Sequence, residues 1–206
     1  LETEDKEPLH YTLRNTERYL KGRSRTHRFE QVFLRLVTLG DGVEYTRRRV
    51  SRSELKSLID DIDTLEEILD SFAGYRLFSL DTDPGTRTPT VEIAHEALLH
   101  EWERLRAWLI ESRDDIKTQR LLAQMAAEWR AAGSDTSFLA RGLRLSAFEV
   151  WAKEAKIILN APERAFLDAS VAHREAEQNV ELERKAREQS LERRTQTFLR
   201  GLVAVL

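Results

Sequence analysis

The chain has 206 residues, 41% hydrophobic and 8% aromatic, enough apolar side chain for one good-sized domain or two small ones. Its 33 Lys and Arg stand against 36 Asp and Glu, so no global basic field marks it for nucleic acid or an acidic membrane. Cysteine is absent, which excludes disulfides, zinc fingers and thiol catalysis and fits a reducing cytoplasm.

Residues 1–27 are polar and weakly periodic and read as a linker or the remnant of a preceding helical region. The opening LETEDKEPLHYTLRN lacks the basic start and apolar stretch of a signal peptide, and Leu1 has no methionine before it, so the chain reads as a segment of a longer protein. From Phe29, FEQVFLRLV sets Phe29, Val32, Phe33 and Leu36 at helical spacing, with Gly40 and Gly42 as the expected stop. After a TRRRV run, Ser51 and Glu54 form a capping box with Val50 and Leu55 as its staple, opening a short helix to about Ile59. A third helix is expected to open at Asp63 and stop at Gly74.

The period then changes. YRLFSL and TVEIA, rich in aromatic and β-branched residues and joined by DTDPGTRTP, predict a hairpin with a long tip. Three helices followed by a hairpin is the order of a winged helix-turn-helix, assigned to residues 28–95.

Beyond His95 the pattern is helical. Leu98, Trp102, Leu105 and Leu109 form one stripe, with Trp108 widening it, and Ile116, Leu121, Leu122, Met125 and Trp129 form the next. Gly133 separates these from FLARGLRLSAFEVWAKEA, and Asn160 to Glu163 form a second capping box with Pro162 in the first turn. Residues 96–172 are assigned as a helical arm. Residues 173–206 are a charged connecting helix without a steady heptad, leading to the apolar FLRGLVAVL that begins at Phe198. The fold class expected is therefore mainly α: a winged helix with a small hairpin wing, a helical bundle or arm, and a long charged helix. Nine residues cannot span a bilayer, which needs about 20, but they can begin a span.

The stretch VEIAHEALLHEW suggests the H-E-x-x-H helix of a zinc protease. His95 and His100 are five apart, however, which turns them roughly 140° from each other on a helix, and no metal site is assigned. The acid pairs Asp60-Asp61 and Asp114-Asp115 stand where carboxylates cap helices, no acid and base pair is apparent, and no G-x-x-x-x-G-K-[ST] occurs. No catalytic residue is assigned and no enzyme activity is expected. The helix that would read DNA carries Asp63, Glu66, Glu67 and Asp70 and no base, which argues against nucleic acid. Arg47, Arg48 and Arg49 are expected to be a strand edge pairing with those acids.

Taken together, FLRLVTLGDGVEYTRRRVSRSEL, LFSLDTD, VEIAHEALLHEWERLRAWL, EWRAAGSD and RGLRLSAFEVW through NAPERAFLDAS resemble the region behind the nucleotide-binding core of bacterial STAND-class signalling NTPases. Such proteins often continue into WD repeats or a transmembrane helix, and the resemblance covers roughly residues 28–175. It implies an upstream core with Walker motifs that binds ATP or ADP, no cofactor in this chain alone, and a regulatory role coupling that core to a C-terminal sensor or membrane part. It also implies oligomerisation on activation and a cytoplasmic location, with an anchor beginning near Phe198. In related STAND proteins a histidine after a winged-helix strand touches the β-phosphate of ADP, and His95 stands in that place. Its plain structural alternative is a buried hydrogen bond joining wing to arm. The competing classes are a winged-helix transcription regulator and an oligomerisation scaffold.

Overall fold

The computed structural model describes residues 13–14, 16, 23–40, 44–59 and 61–203. Most of the expected linker 1–27, the stop at Gly42 and Asp60 lie outside these residues, although Leu13 is buried in the first core.

Helix α1 (Arg23–Arg35) is buried on every side near its end, because Gln31, Leu34 and Arg35 are covered as well as the apolar Phe29, Val32 and Phe33. It stops well before Gly40. Val37, Thr38 and Leu39 favour an extended chain, and β1 (Val37–Leu39) pairs antiparallel with β2 (Tyr45–Arg47) in the register Val37↔Arg47 to Leu39↔Tyr45. This extra hairpin is absent from the sequence reading.

β3 (Val50–Ser51) leads into α2 (Arg52–Lys56), where Ser51 Oγ accepts the Glu54 amide at 3.2 Å and Val50 and Leu55 are buried as the staple requires. Helix α3 (Ile62–Gly74) is capped by Asp61 and not by Asp63. Asp61 takes the Thr64 amide at 3.1 Å and the Thr64 hydroxyl at 2.5 Å, the three-residue reach that a cap needs, and Asp63 falls inside the first turn. At the other end the helix stops at Gly74 as expected, although the left-handed backbone falls on Arg76, φ 56°, and not on the glycine.

The expected hairpin is β4 (Phe78–Thr82) and β5 (Pro89–Ile93), registered from Phe78↔Ile93 to Thr82↔Pro89. With β3 it makes a three-stranded antiparallel sheet of order β3-β5-β4. The run EALLHEWERLRAWL divides into α4 (Ala97–Glu101) and α5 (Glu103–Glu111), with Trp102 extended between them. The stripe Leu98, Trp102, Leu105 and Leu109 is nonetheless wholly buried, and Trp108 joins it.

Helix α6 (Arg113–Ala131) buries Ile116, Gln119, Leu122 and Ala126, whereas Leu121 faces solvent, about 100° around the helix from Leu122. After Gly133 (φ 69°) and a single 3₁₀ turn come α7 (Gly142–Glu154) and α8 (Ala161–Val203). The molecule is mainly helical with small antiparallel sheets. Helix α8 crosses residues 172 and 173 without a break, and its 43 residues reach about 65 Å.

Two hydrophobic clusters result. The first joins α1, α3, the three-stranded sheet, α4 and α5 and continues past residue 95 to Ile116, with Ile157 added from the α7–α8 connection. The second is smaller, built from Leu122 and Ala126 of α6, Leu139, Ala140, Leu145 and Phe148, and Phe166 and Leu167 of α8. Among the described residues no helix is long and apolar enough to cross a membrane.

Candidate functional site

His95 lies between β5 and α4. Ala94 donates its amide to the Leu77 carbonyl at 2.9 Å, and Arg47 Nη1 donates to the carbonyls of Ile93 at 3.1 Å and Ala94 at 3.2 Å, so the backbone beside His95 is fixed. The His95 carbonyl accepts the Leu98 amide at 3.1 Å, but the imidazole is exposed and makes no hydrogen bond among the described residues. The buried hydrogen bond of its structural alternative is therefore not formed here. Helix α4 has five residues and no side-chain cap, so it supplies little macrodipole to an anion. What His95 offers is a free ring on a held backbone. His100 sits exposed on α4, and among the described residues no group of three or more His, Asp or Glu side chains could hold a metal ion.

On α3, Asp63, Glu67 and Asp70 are exposed. Glu66 pairs with Arg52 and, at 3.3 Å, with Lys56, because α2 is the element packed beside it. The arginine run does not reach those acids, contrary to the expectation. Arg48 forks onto Glu54 at 2.9 and 3.0 Å, Arg49 meets Glu92 at 3.2 Å, and Arg47 holds the strand end described above. Nor do Asp114 and Asp115 precede a helix. They lie in the first turn of α6, where Asp115 accepts from Trp151 Nε1 at 2.8 Å and from the Lys156 amide at 3.0 Å.

The most heavily built polar site is one the sequence reading did not assign. Arg35, 1% exposed, sends Nη1 and Nη2 to the two oxygens of Glu163, also 1% exposed, at 2.6 and 2.8 Å, and Nη2 also donates to the Ile158 carbonyl at 2.5 Å. Glu163 accepts further from Gln119 Nε2 at 2.5 Å and from the Asn160 amide at 2.9 Å, while Asn160 Oδ1 takes the Glu163 amide at 2.9 Å. One turn earlier on α1, Gln31 donates to the Lys156 carbonyl and accepts the Ile158 amide, both at 2.8 Å. Thus one face of α1 grips the entry to α8, with α6 as the third wall.

Arg120 completes the site by capping α1, since its Nη2 donates to the carbonyls of Arg35 at 2.9 Å and Val37 at 2.6 Å. Burial, with Arg48 and Arg35 nearby, pulls its pKa down to about 9, so it stays protonated at neutral pH. The signal in the sequence was the polar pair Gln31 and Arg35, four apart and hence on one face, set among the apolar Phe29, Val32, Phe33, Leu34 and Leu36.

Residues 15–137, more than half of the 206, match the family model described as Novel STAND NTPase 1. The chain belongs to this family. No curated protein and no solved structure matches it. The STAND NTPase match takes in α1 through α6, and with them Gln31, Arg35, His95, Gln119 and Arg120; Glu163 and the start of α8 lie beyond it.

Proposed function

We propose that the chain is a non-catalytic relay of a STAND-type signalling NTPase. In this reading α1 to α3 with the β3-β5-β4 sheet are a winged helix that packs on an upstream nucleotide-binding core, and α8 carries the state of that core to a C-terminal sensor or membrane part. The observation that carries the reading is the grip of Gln31 and Arg35 on the entry to α8, which ties the family-matched segment to a helix projecting far beyond it. ATP or ADP would bind the core, with His95 as one phosphate contact, and oligomerisation would accompany activation at a cytoplasmic site near a membrane. The exposed, unpartnered His95 ring is consistent with that role. The alternative of a DNA-binding regulator draws no support from α3, whose solvent side is acidic.

The test is a fluorescence pair at Asp70 and Glu188, both exposed, in the full-length protein. Its separation should differ between ADP and a non-hydrolysable ATP analogue, and an unchanged distance would end the relay reading. His95→Ala removes a donor to a charged phosphate, worth about 1.5–3 kcal/mol, so ADP should dissociate roughly ten- to a hundredfold more easily. Unchanged ADP affinity would remove His95 from the site while leaving the relay intact.

A further inference from the structure

Arg35 stands between two carboxylates, not one. Its Nη1 is 2.6 Å from Glu163 and 3.9 Å from Glu54 Oε1. Glu54 in turn forks onto Arg48, which is 29% exposed and also donates to the Arg35 carbonyl at 3.2 Å. A buried guanidinium left without a carboxylate is strongly unfavourable, so a second acid that takes Arg35 over would lower the cost of freeing α8 from α1. Glu54 is within reach, and Arg48, being partly solvated, loses little by sharing it.

The surroundings leave room for such a shift. The first turn of α8 faces α2 across two clefts. One, of about 430 Å³, is lined by Ser51, Glu54, Asn160, Pro162 and Glu163, and the other, of about 560 Å³, by Ser57, Leu58, Ala161, Arg164 and Asp168. The turn is therefore pinned by polar bonds to α1 and α6 but loosely backed on the α2 side. Glu163 would keep its own helix start, since the Asn160 amide and the dipole of a 43-residue helix travel with it.

We infer that Arg35 is a two-position latch: forked to Glu163 it clamps the first turn of α8 on α1, and turned to Glu54 it releases that turn while α1 and its core stay folded. The latch rests on the junction geometry alone and involves no nucleotide, so its test is separate from that of the relay.

The experiment is a double-mutant cycle in this chain with Glu163→Gln and Glu54→Gln, read by chemical unfolding and by amide exchange. Glu163→Gln should fold, with the Glu163 and Arg164 amides exchanging at least about tenfold faster while those of Leu65 and Val91 are unchanged when read relative to global stability. Glu54→Gln should then shift the unfolding equilibrium at least about tenfold more in the Glu163→Gln background than in the parent chain, since only there does Arg35 depend on it; the loss of the Arg48 pair is common to both backgrounds and cancels. Equal effects in the two backgrounds would overturn the latch. So would failure of Glu163→Gln to fold, because it would mean that Arg35 has no second partner.

Discussion

Phe33 shows how much of the fold a single residue can hold. Its ring lies 5.4 Å from Phe72 of α3, 4.9 Å from Phe78 of β4, 5.0 Å from Trp102 and 6.4 Å from Trp108 of α5, edge-on or tilted in all four pairs. One side chain thus joins a helix, a strand and the helical run that follows the hairpin. Phe33→Ala should lower the free energy of unfolding by about 3–5 kcal/mol, since neighbours from separate elements cannot all close the cavity. Leu143→Ala, at a site 90% exposed, should change it by no more than about 0.5 kcal/mol. Urea unfolding followed by tryptophan fluorescence separates the two, and a Phe33→Ala cost below about 1 kcal/mol would show that the cluster repacks. Phe33 was legible from spacing alone. Leu121 was not, because a stripe read only from apolar letters cannot anticipate that Gln119 takes an interior place as a donor to Glu163. Arg35 was hidden for a related reason. A charge inside an apolar run looks like the wet edge of the helix until its partner, 128 residues away, is brought to it by the fold.

At the scale of elements, the caps at Ser51 and Asn160 stand where the sequence placed them, and that of α3 moves from Asp63 to Asp61. The Asn160–Glu163 box is complete in both directions, whereas at Ser51 only the forward half is made, because the Glu54 carboxylate goes to Arg48. The β1–β2 hairpin had a signal in Asp41-Gly42 between Val37-Thr38-Leu39 and Tyr45-Thr46, the dipeptide that most strongly marks a hairpin, but it competes with the equally good reading of glycines as a helix stop. Three-residue strands are too short for period alone to decide. The break at Trp102 left no trace in the letters, since the buried stripe runs straight through it. Because Asn160 is buried and closes the box on α8, Asn160→Ala should cost about 0.5–2 kcal/mol in thermal or urea unfolding. Asn160→Ser, which keeps an oxygen acceptor for the Glu163 amide, should recover most of that loss. Equal destabilisation by Ala and Ser would assign the effect to packing and not to the cap.

Over the whole molecule the two clusters are unequal. The expected division near residue 95 followed a change of period, from strand to helix, whereas packing places Leu98 through Ile116 with the first core and begins the second at Leu122, midway along α6. Local pattern marks where an element changes type; only the packed chain shows which elements share an interior. The second core has eight buried residues, two of them alanine, and much of α7 around it is wet, with Leu143 and Val150 exposed. Apolar burial is the main favourable term in folding, so the smaller core should open at lower free energy than the first even though α6 runs through both. Native-state amide exchange in low urea should place Leu145 and Phe148 in a unit of lower opening free energy than Leu65, Leu69 and Val91. Fluorescence offers a second probe, because Trp129 and Trp151 pack against the second core and Trp102 and Trp108 against the first. Trp129→Phe/Trp151→Phe and Trp102→Phe/Trp108→Phe chains, each reporting one core, should give separate urea midpoints once corrected for their own stability. Coincident midpoints together with a single opening free energy for all five amides would show one cooperative unit, held as such by α6 and by the Arg35–Glu163 clamp across the seam.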